Sequence, residues 1–266
     1  MFNNAISASL TGGLITWGLT TLGSALVFLF ISGIKNKILY SMYGFAAGIM
    51  VAASFWSLLL PAIELSSNNE IAKWFVPTSG FLMGTLFIWC LDKFLPHMHF
   101  LNGKILKEGP NTKLSQLTLL FLAITLHNIP EGLAVGVSFG AYFIGDPNFS
   151  LASAMALTLG IGIQNFPEGA AISLPLVATG VSKWRSFLLG SLSAIVEPIS
   201  ALIGAIAVTK IQMVLPLALS FAAGAMIYVV VEELLPEAVD KQDNHAGVFG
   251  FIIGFAIMMI LDVALG

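Results

Sequence analysis

The sequence predicts an all-α polytopic membrane protein of eight transmembrane helices, on three observations. Hydrophobic residues fill 57% of its 266 positions and charged residues only 9%, against roughly 25% charged in an ordinary soluble domain. Eight apolar runs, each near the roughly 20 residues that a spanning helix needs, use almost the whole chain. Segments of the first three runs also recur in the last three.

In order, the runs cover 6–32, 39–63, 74–95, 115–143, 151–178, 186–208, 213–236 and 246–265. They are long and apolar on all sides, so helix is predicted; a membrane barrel would need strands of about 10 residues alternating apolar and polar. No basic residue stands in Met1 to Ser9 ahead of the first run, which is therefore expected to be a true span and not a cleavable signal. The breaks are short, so residues 1–266 form a single transmembrane domain, with one longer loop at about 93–114. Lys35, Lys37, Lys93, Lys104, Lys107, Lys113, Lys183, Arg185 and Lys241 all fall in breaks after odd-numbered spans, while only Lys73 and Lys210 lie on the other side. The excess of positive charge puts those breaks, and the 93–114 loop, in the cytoplasm and both termini outside. The expected location is the plasma (inner) membrane. One cysteine, Cys90, excludes an internal disulfide and any multi-thiolate metal site. A net charge of -3 argues against a nucleic-acid partner.

The repeats set the architecture. Gly80 to Leu95 matches Gly250 to Leu265 without a gap, so span 3 resembles span 8. Phe45-Ala46-Ala47-Gly48-Ile49-Met50 matches Phe221-Ala222-Ala223-Gly224-Ala225-Met226, each followed by Leu-Leu-Pro, so span 2 resembles span 7. Ser24-Ala25-Leu26 beside Ser200-Ala201-Leu202 is the slight trace of a likeness between spans 1 and 6. Copies five spans apart run in opposite directions, which makes spans 1–3 and 6–8 inverted repeats around spans 4 and 5. That plan is characteristic of secondary transporters.

Spans 4 and 5 each carry a polar hexad, His127-Asn128-Ile129-Pro130-Glu131-Gly132 and Gln164-Asn165-Phe166-Pro167-Glu168-Gly169. His127 and Glu131, like Gln164 and Glu168, are one helical turn apart on one face; Asn128 and Asn165 lie one position further round. Pro130 and Pro167 leave the carbonyls of Leu126 and Ile163 without their helical donors. Such gaps are tolerated at membrane depth only against protein, water or an ion. Glu131, Glu168 and Glu197, on span 6, are three intramembrane acids, each costing roughly 2.5–3.5 kcal/mol if uncompensated. A bound dication offsets that cost. One imidazole with carboxylates and amide oxygens suits Zn, Fe(II) or Mn(II), and the histidine argues against Mg or Ca. A kink of two helices around protonated acids is the plainer alternative, and the duplication of the hexad speaks against it.

The two hexads, the first followed by Leu-Ala-Val-Gly-Val, resemble the fourth and fifth helices of the ZIP (Zrt/Irt-like) family of divalent metal transporters, nearest its GufA-type members. The resemblance covers the full chain. It implies a three-plus-two-three helix plan, outside termini and a variable loop between spans 3 and 4. It also implies a first metal position on His127, Glu131, Gln164 and Glu168 and a second on Asn128, Asn165 and Glu197, bridged by Glu131 and Glu168. Gln164 stands where many members have histidine and Asn165 where some have an acid. The neutral Asn165 weakens the second position, so one strong and one weaker site are expected.

Other candidates are Glu232 and Glu233, as an inner exit step or interfacial charges, and Asp92 and Asp262, expected as interfacial anchors. His97 and His99 are expected in a solvated loop, and His245 at the interface. Gly80, Gly84, Gly250 and Gly254 allow close helix packing, internally or in the expected homodimer. The functional expectation is a carrier, with no organic cofactor, that moves Zn2+ into the cytoplasm by alternating access; Fe2+, Mn2+ and Cd2+ suit the same ligands. The alternatives are a metal-selective channel and an intramembrane metal-dependent hydrolase. Against the hydrolase stand the lack of a His-Glu-x-x-His motif and four ligand groups that leave no open coordination position.

Overall fold

The computed structural model describes residues 2–29, 36–67, 70–94, 97–101, 104–108, 116–178, 180–239 and 245–265. Lys35, Lys113 and Lys241, and the side chains of His97, His99, Lys104, Lys107 and His127, lie outside what is described.

Helix α1 (Ala5–Ser24) starts at Asn4, whose side chain accepts from the Ser7 amide at 2.8 Å, and continues as a 3₁₀ turn over Ala25–Phe28. Helix α2 (Asn36–Ala53) passes through a π-helical segment (Ser54–Leu59) into α3 (Leu60–Leu65), and α4 covers Glu70–Phe94. Strands β1 (His97–Leu101) and β2 (Lys104–Glu108) form an antiparallel hairpin where a plain loop was expected. Two 28-residue helices follow, α5 (Gln116–Phe143) and α6 (Leu151–Ala178). The chain ends with α7 (Lys183–Ser193), α8 (Val196–Lys210), α9 (Leu215–Val229), a second π-helical segment (Val230–Leu234), α10 (Leu235–Ala238) and α11 (Ala246–Leu265). Among the described residues six segments are long and apolar enough to cross a membrane: Ala5–Phe28, Lys37–Leu65, Lys73–Phe94, Lys183–Lys210, Leu215–Ala238 and Ala246–Leu265. The protein is an integral membrane protein, and the observed helices follow the apolar runs within a few residues apart from internal breaks.

Those breaks have a common cause. Pro61 and Pro236 have no N–H, and their rings would collide with the carbonyl four residues back. Each is preceded by a π segment, in which the Leu60 amide reaches Phe55 O and the Leu235 amide reaches Val230 O, five residues back. Between α7 and α8, Pro198 leaves the Ala194 carbonyl without its usual donor, and the Glu197 amide takes it at 3.0 Å. Gly145 (φ 77°) and Gly180 (φ 93°) supply the left-handed turns on either side of α6.

Packing follows the sequence repeats. α2 lies along α11 as α9 lies along α4, and α1 lies along α6 as α8 lies along α5. Exchanging spans 1, 2, 3 and 4 for 6, 7, 8 and 5 leaves these pairings unchanged. The small-residue ridges obey the same exchange: a Cβ at Gly84 would overlap Phe221 O, and one at Gly254 would overlap Phe45 O. Gly80, Gly84, Gly250 and Gly254 therefore line internal seams and are not a seam for a homodimer. The largest buried cluster lies where α2, α5, α9 and their neighbours converge, around Met50, Phe139, Leu157, Leu219 and Met226.

Candidate metal centre

Both hexads sit mid-helix, and α5 and α6 run unbroken through Pro130 and Pro167. Each hexad ends in a glycine pressed onto a neighbouring helix. A Cβ at Gly132 would overlap the Ser200 hydroxyl and the Glu197 carbonyl on α8; one at Gly169 would overlap Thr20 O and meet the Ser24 hydroxyl at 3.0 Å on α1. Ser24 and Ser200 are the residues that carried the slight likeness between spans 1 and 6. These seats hold the acids of α5 and α6 against α8 and α1.

The carboxylates and amides of the two hexads interlock. Glu131 is 1% exposed, and Gln164, Asn165 and Glu197 are fully buried. Gln164 Nε2 donates to Glu131 Oε1 at 2.8 Å, tying α6 to α5. Asn165 Nδ2 donates to Glu197 Oε1 and Oε2 at 2.9 and 3.0 Å, tying α6 to α8, and reaches Thr16 O at 3.5 Å. Thr16 and Thr20 on α1 lie against the Glu197 carboxylate, and Glu168 and Glu197 are within electrostatic range of Glu131.

Among the described residues, four buried oxygens at this junction have no hydrogen-bond donor: Glu131 Oε2, Gln164 Oε1, Asn165 Oδ1 and Glu168 Oε1. Buried polar atoms are almost always satisfied, and every unsatisfied atom here is an acceptor. A shortage of donors beside acids is what a cation relieves. Among the described residues, which leave out the His127 side chain, His, Cys, Asp and Glu alone do not bring three groups to one point. Asn128 is also buried, 3% exposed.

The other expected positions divide. Glu233 is half-buried and within electrostatic range of Glu168, whereas Glu232 is exposed. Asp92 is 7% exposed, more buried than was expected of an interfacial anchor. Asp262 is half-buried and accepts a hydrogen bond from Ser57 of the first π segment, joining span 8 to span 2. His245 is exposed ahead of α11. The reading of the sequence missed Thr16 and Thr20, although Thr16, Thr20 and Ser24 at four-residue spacing form a polar stripe along the first apolar run. It also missed Tyr43, whose hydroxyl donates to Ala171 O at 3.5 Å and which lies within electrostatic range of Glu168, Glu233 and Glu237.

Residues 107–262, which include both hexads and Glu197, match the family model described as ZIP zinc transporter. The chain belongs to the ZIP family. It is 42% identical to the zinc transporter ZIP11 of Xenopus tropicalis, with 97% of each chain covered. It is 37% identical to the zinc transporter GufA of Myxococcus xanthus, over 98% of this chain and all of that protein. It is also 37% identical to the zinc transporter ZIPB of Bordetella bronchiseptica, over 98% of this chain and 82% of that one. The GufA match agrees with the GufA-type resemblance read from the hexads. This ZIP chain thus joins a family of transporters, not of enzymes.

Proposed function

We propose that this protein is a carrier of divalent transition metal, Zn2+ before Fe2+, Mn2+ or Cd2+, into the cytoplasm. The observation that carries the reading is the set of donor-less buried oxygens on Glu131, Gln164, Asn165 and Glu168, in a chain whose curated relatives are named zinc transporters. The first metal position is His127, Glu131, Gln164 and Glu168. The second is Asn128, Asn165 and Glu197 with Glu131 and Glu168 bridging, and it is the weaker one, because both Glu197 oxygens accept from the Asn165 amide.

In this reading α5 and α6 are the fourth and fifth of eight spans in a single domain, since 28 residues at 1.5 Å each reach about 42 Å. The pairings of α2 with α11 and of α9 with α4 support inverted three-helix repeats around them. The termini lie outside and the basic breaks inside, in the plasma (inner) membrane. Metal enters from outside, exchanges water for the carboxylates and amides, and leaves past Glu168 toward Glu233. Alternating access comes from movement of α1, α5, α6 and α8, locked together by glycine seats and the Asn165–Glu197 bond, against the paired α2–α11 and α4–α9 helices.

The test is zinc uptake into proteoliposomes by the protein with Glu131→Ala and Glu168→Ala together. Uptake is expected to fall to the level of empty vesicles while the purified variant keeps the elution profile of the unmodified protein. Uptake at the unmodified rate would sink the site assignment.

A further inference from the structure

A groove of about 410 Å³ reaches the second hexad at Pro167 of α6, lined otherwise by Lys37, Ile38, Ser41, Met42 and Phe45 of α2 and Ala246 of α11. That volume is within the range of small-molecule sites. Its position matters because it straddles the seam between the α2–α11 pair and the hexad helix α6. Ile38 in its wall is 51% exposed, and on α6 Ile163 and Phe166 are 37% and 38% exposed. In a membrane protein such apolar surface faces acyl chains.

The chemistry of the walls is amphipathic. Ile38, Met42, Phe45, Pro167 and Ala246 are apolar; Lys37, exposed at the start of α2, and the Ser41 hydroxyl one turn on supply a cation and a donor at one end. A lysine and an apolar lining do not suit passage of a dication. They suit an anionic headgroup attached to a hydrocarbon chain, and basic pockets between spans on the cytoplasmic side are where such headgroups bind.

We propose that this groove is a binding site for one anionic phospholipid of the cytoplasmic leaflet. Its phosphate sits at Lys37 and Ser41, and one acyl chain lies against Met42, Phe45 and Pro167. The bound chain touches the proline of the second hexad, so the lipid fills the seam across which α6 must move. The placement in the cytoplasmic leaflet rests on the orientation given under the proposed function; binding in detergent does not depend on it.

The test is native mass spectrometry of detergent-purified protein exchanged with phosphatidylglycerol or phosphatidylcholine. The unmodified protein is expected to retain a single phosphatidylglycerol with about fivefold preference over phosphatidylcholine. Lys37→Glu is expected to lose the preference, and Met42→Trp, which fills the apolar end with Lys37 intact, to lose retention. The Glu131→Ala, Glu168→Ala protein should retain lipid as the unmodified protein does, so a failure of the metal reading would show in uptake and leave this result standing. Equal retention of the two lipids by the unmodified protein overturns the proposal. So does retention unchanged by both Lys37→Glu and Met42→Trp.

Discussion

The two hexad helices are built alike and serviced differently. Gly132 of α5 rests on α8 at Glu197 and Ser200, and Gly169 of α6 rests on α1 at Thr20 and Ser24. The backbones obey one exchange rule, yet the seat of the first hexad carries an acid and the seat of the second a threonine. In the hexads themselves α5 brings His127 and Asn128, while α6 brings two neutral amides that donate to acids on other helices. The lesson is that close packing preserved the symmetry of the fold while side chains beside the seats were free to diverge in charge.

The symmetric half of that comparison should yield the largest effects. Gly132→Val and Gly169→Val each drive a branched side chain into backbone, and each is expected to cost about 3 kcal/mol or more, lowering the melting temperature in detergent by similar amounts. A large drop for one and none for the other would break the equivalence of the seats.

The chemical half predicts an unequal pair. Glu197→Gln removes the charge that holds the Asn165 amide and is expected to slow zinc uptake roughly tenfold, on the scale of a buried charged hydrogen bond. Thr20→Val in the opposite seat should slow it less than threefold. Equal losses would mean that the seats are chemically as well as structurally equivalent.

The finest test is the copy number of bound metal. Asn165→Asp replaces a donor to Glu197 with an oxygen ligand, and zinc bound per chain, read by elemental analysis after dialysis, should rise from about one toward two. An unchanged stoichiometry would show that Asn165 is not what limits a second metal position.

Much of this was legible along the chain. Both helices of the hexads fall within a residue of the expected limits at 115–143 and 151–178. Gly84 and Gly254 were visible as a repeated spacing; which partner they met was not. Asp92 and Asp262 occupy matching repeat positions and read alike. One proves buried, and the other bonds to Ser57 on a segment whose π geometry depends on the proline beyond it. The hairpin at His97–Glu108 left no clear pattern, because Ile105 beside Leu106 and Lys107 beside Glu108 break the alternation that His97-Met98-His99-Phe100 begins.

By itself the sequence determined the helices, their repeats and the acids that need compensation. The physical reason is that the bilayer sets a length and forbids unsatisfied backbone, constraints that act on one segment at a time. Only the tertiary structure decided that Gln164 donates to Glu131, that Asn165 takes both oxygens of Glu197, and that Thr16 and Thr20 complete the surroundings of that acid. These are contacts between helices distant in sequence. Which acceptors are left without a donor depends on every neighbour at once.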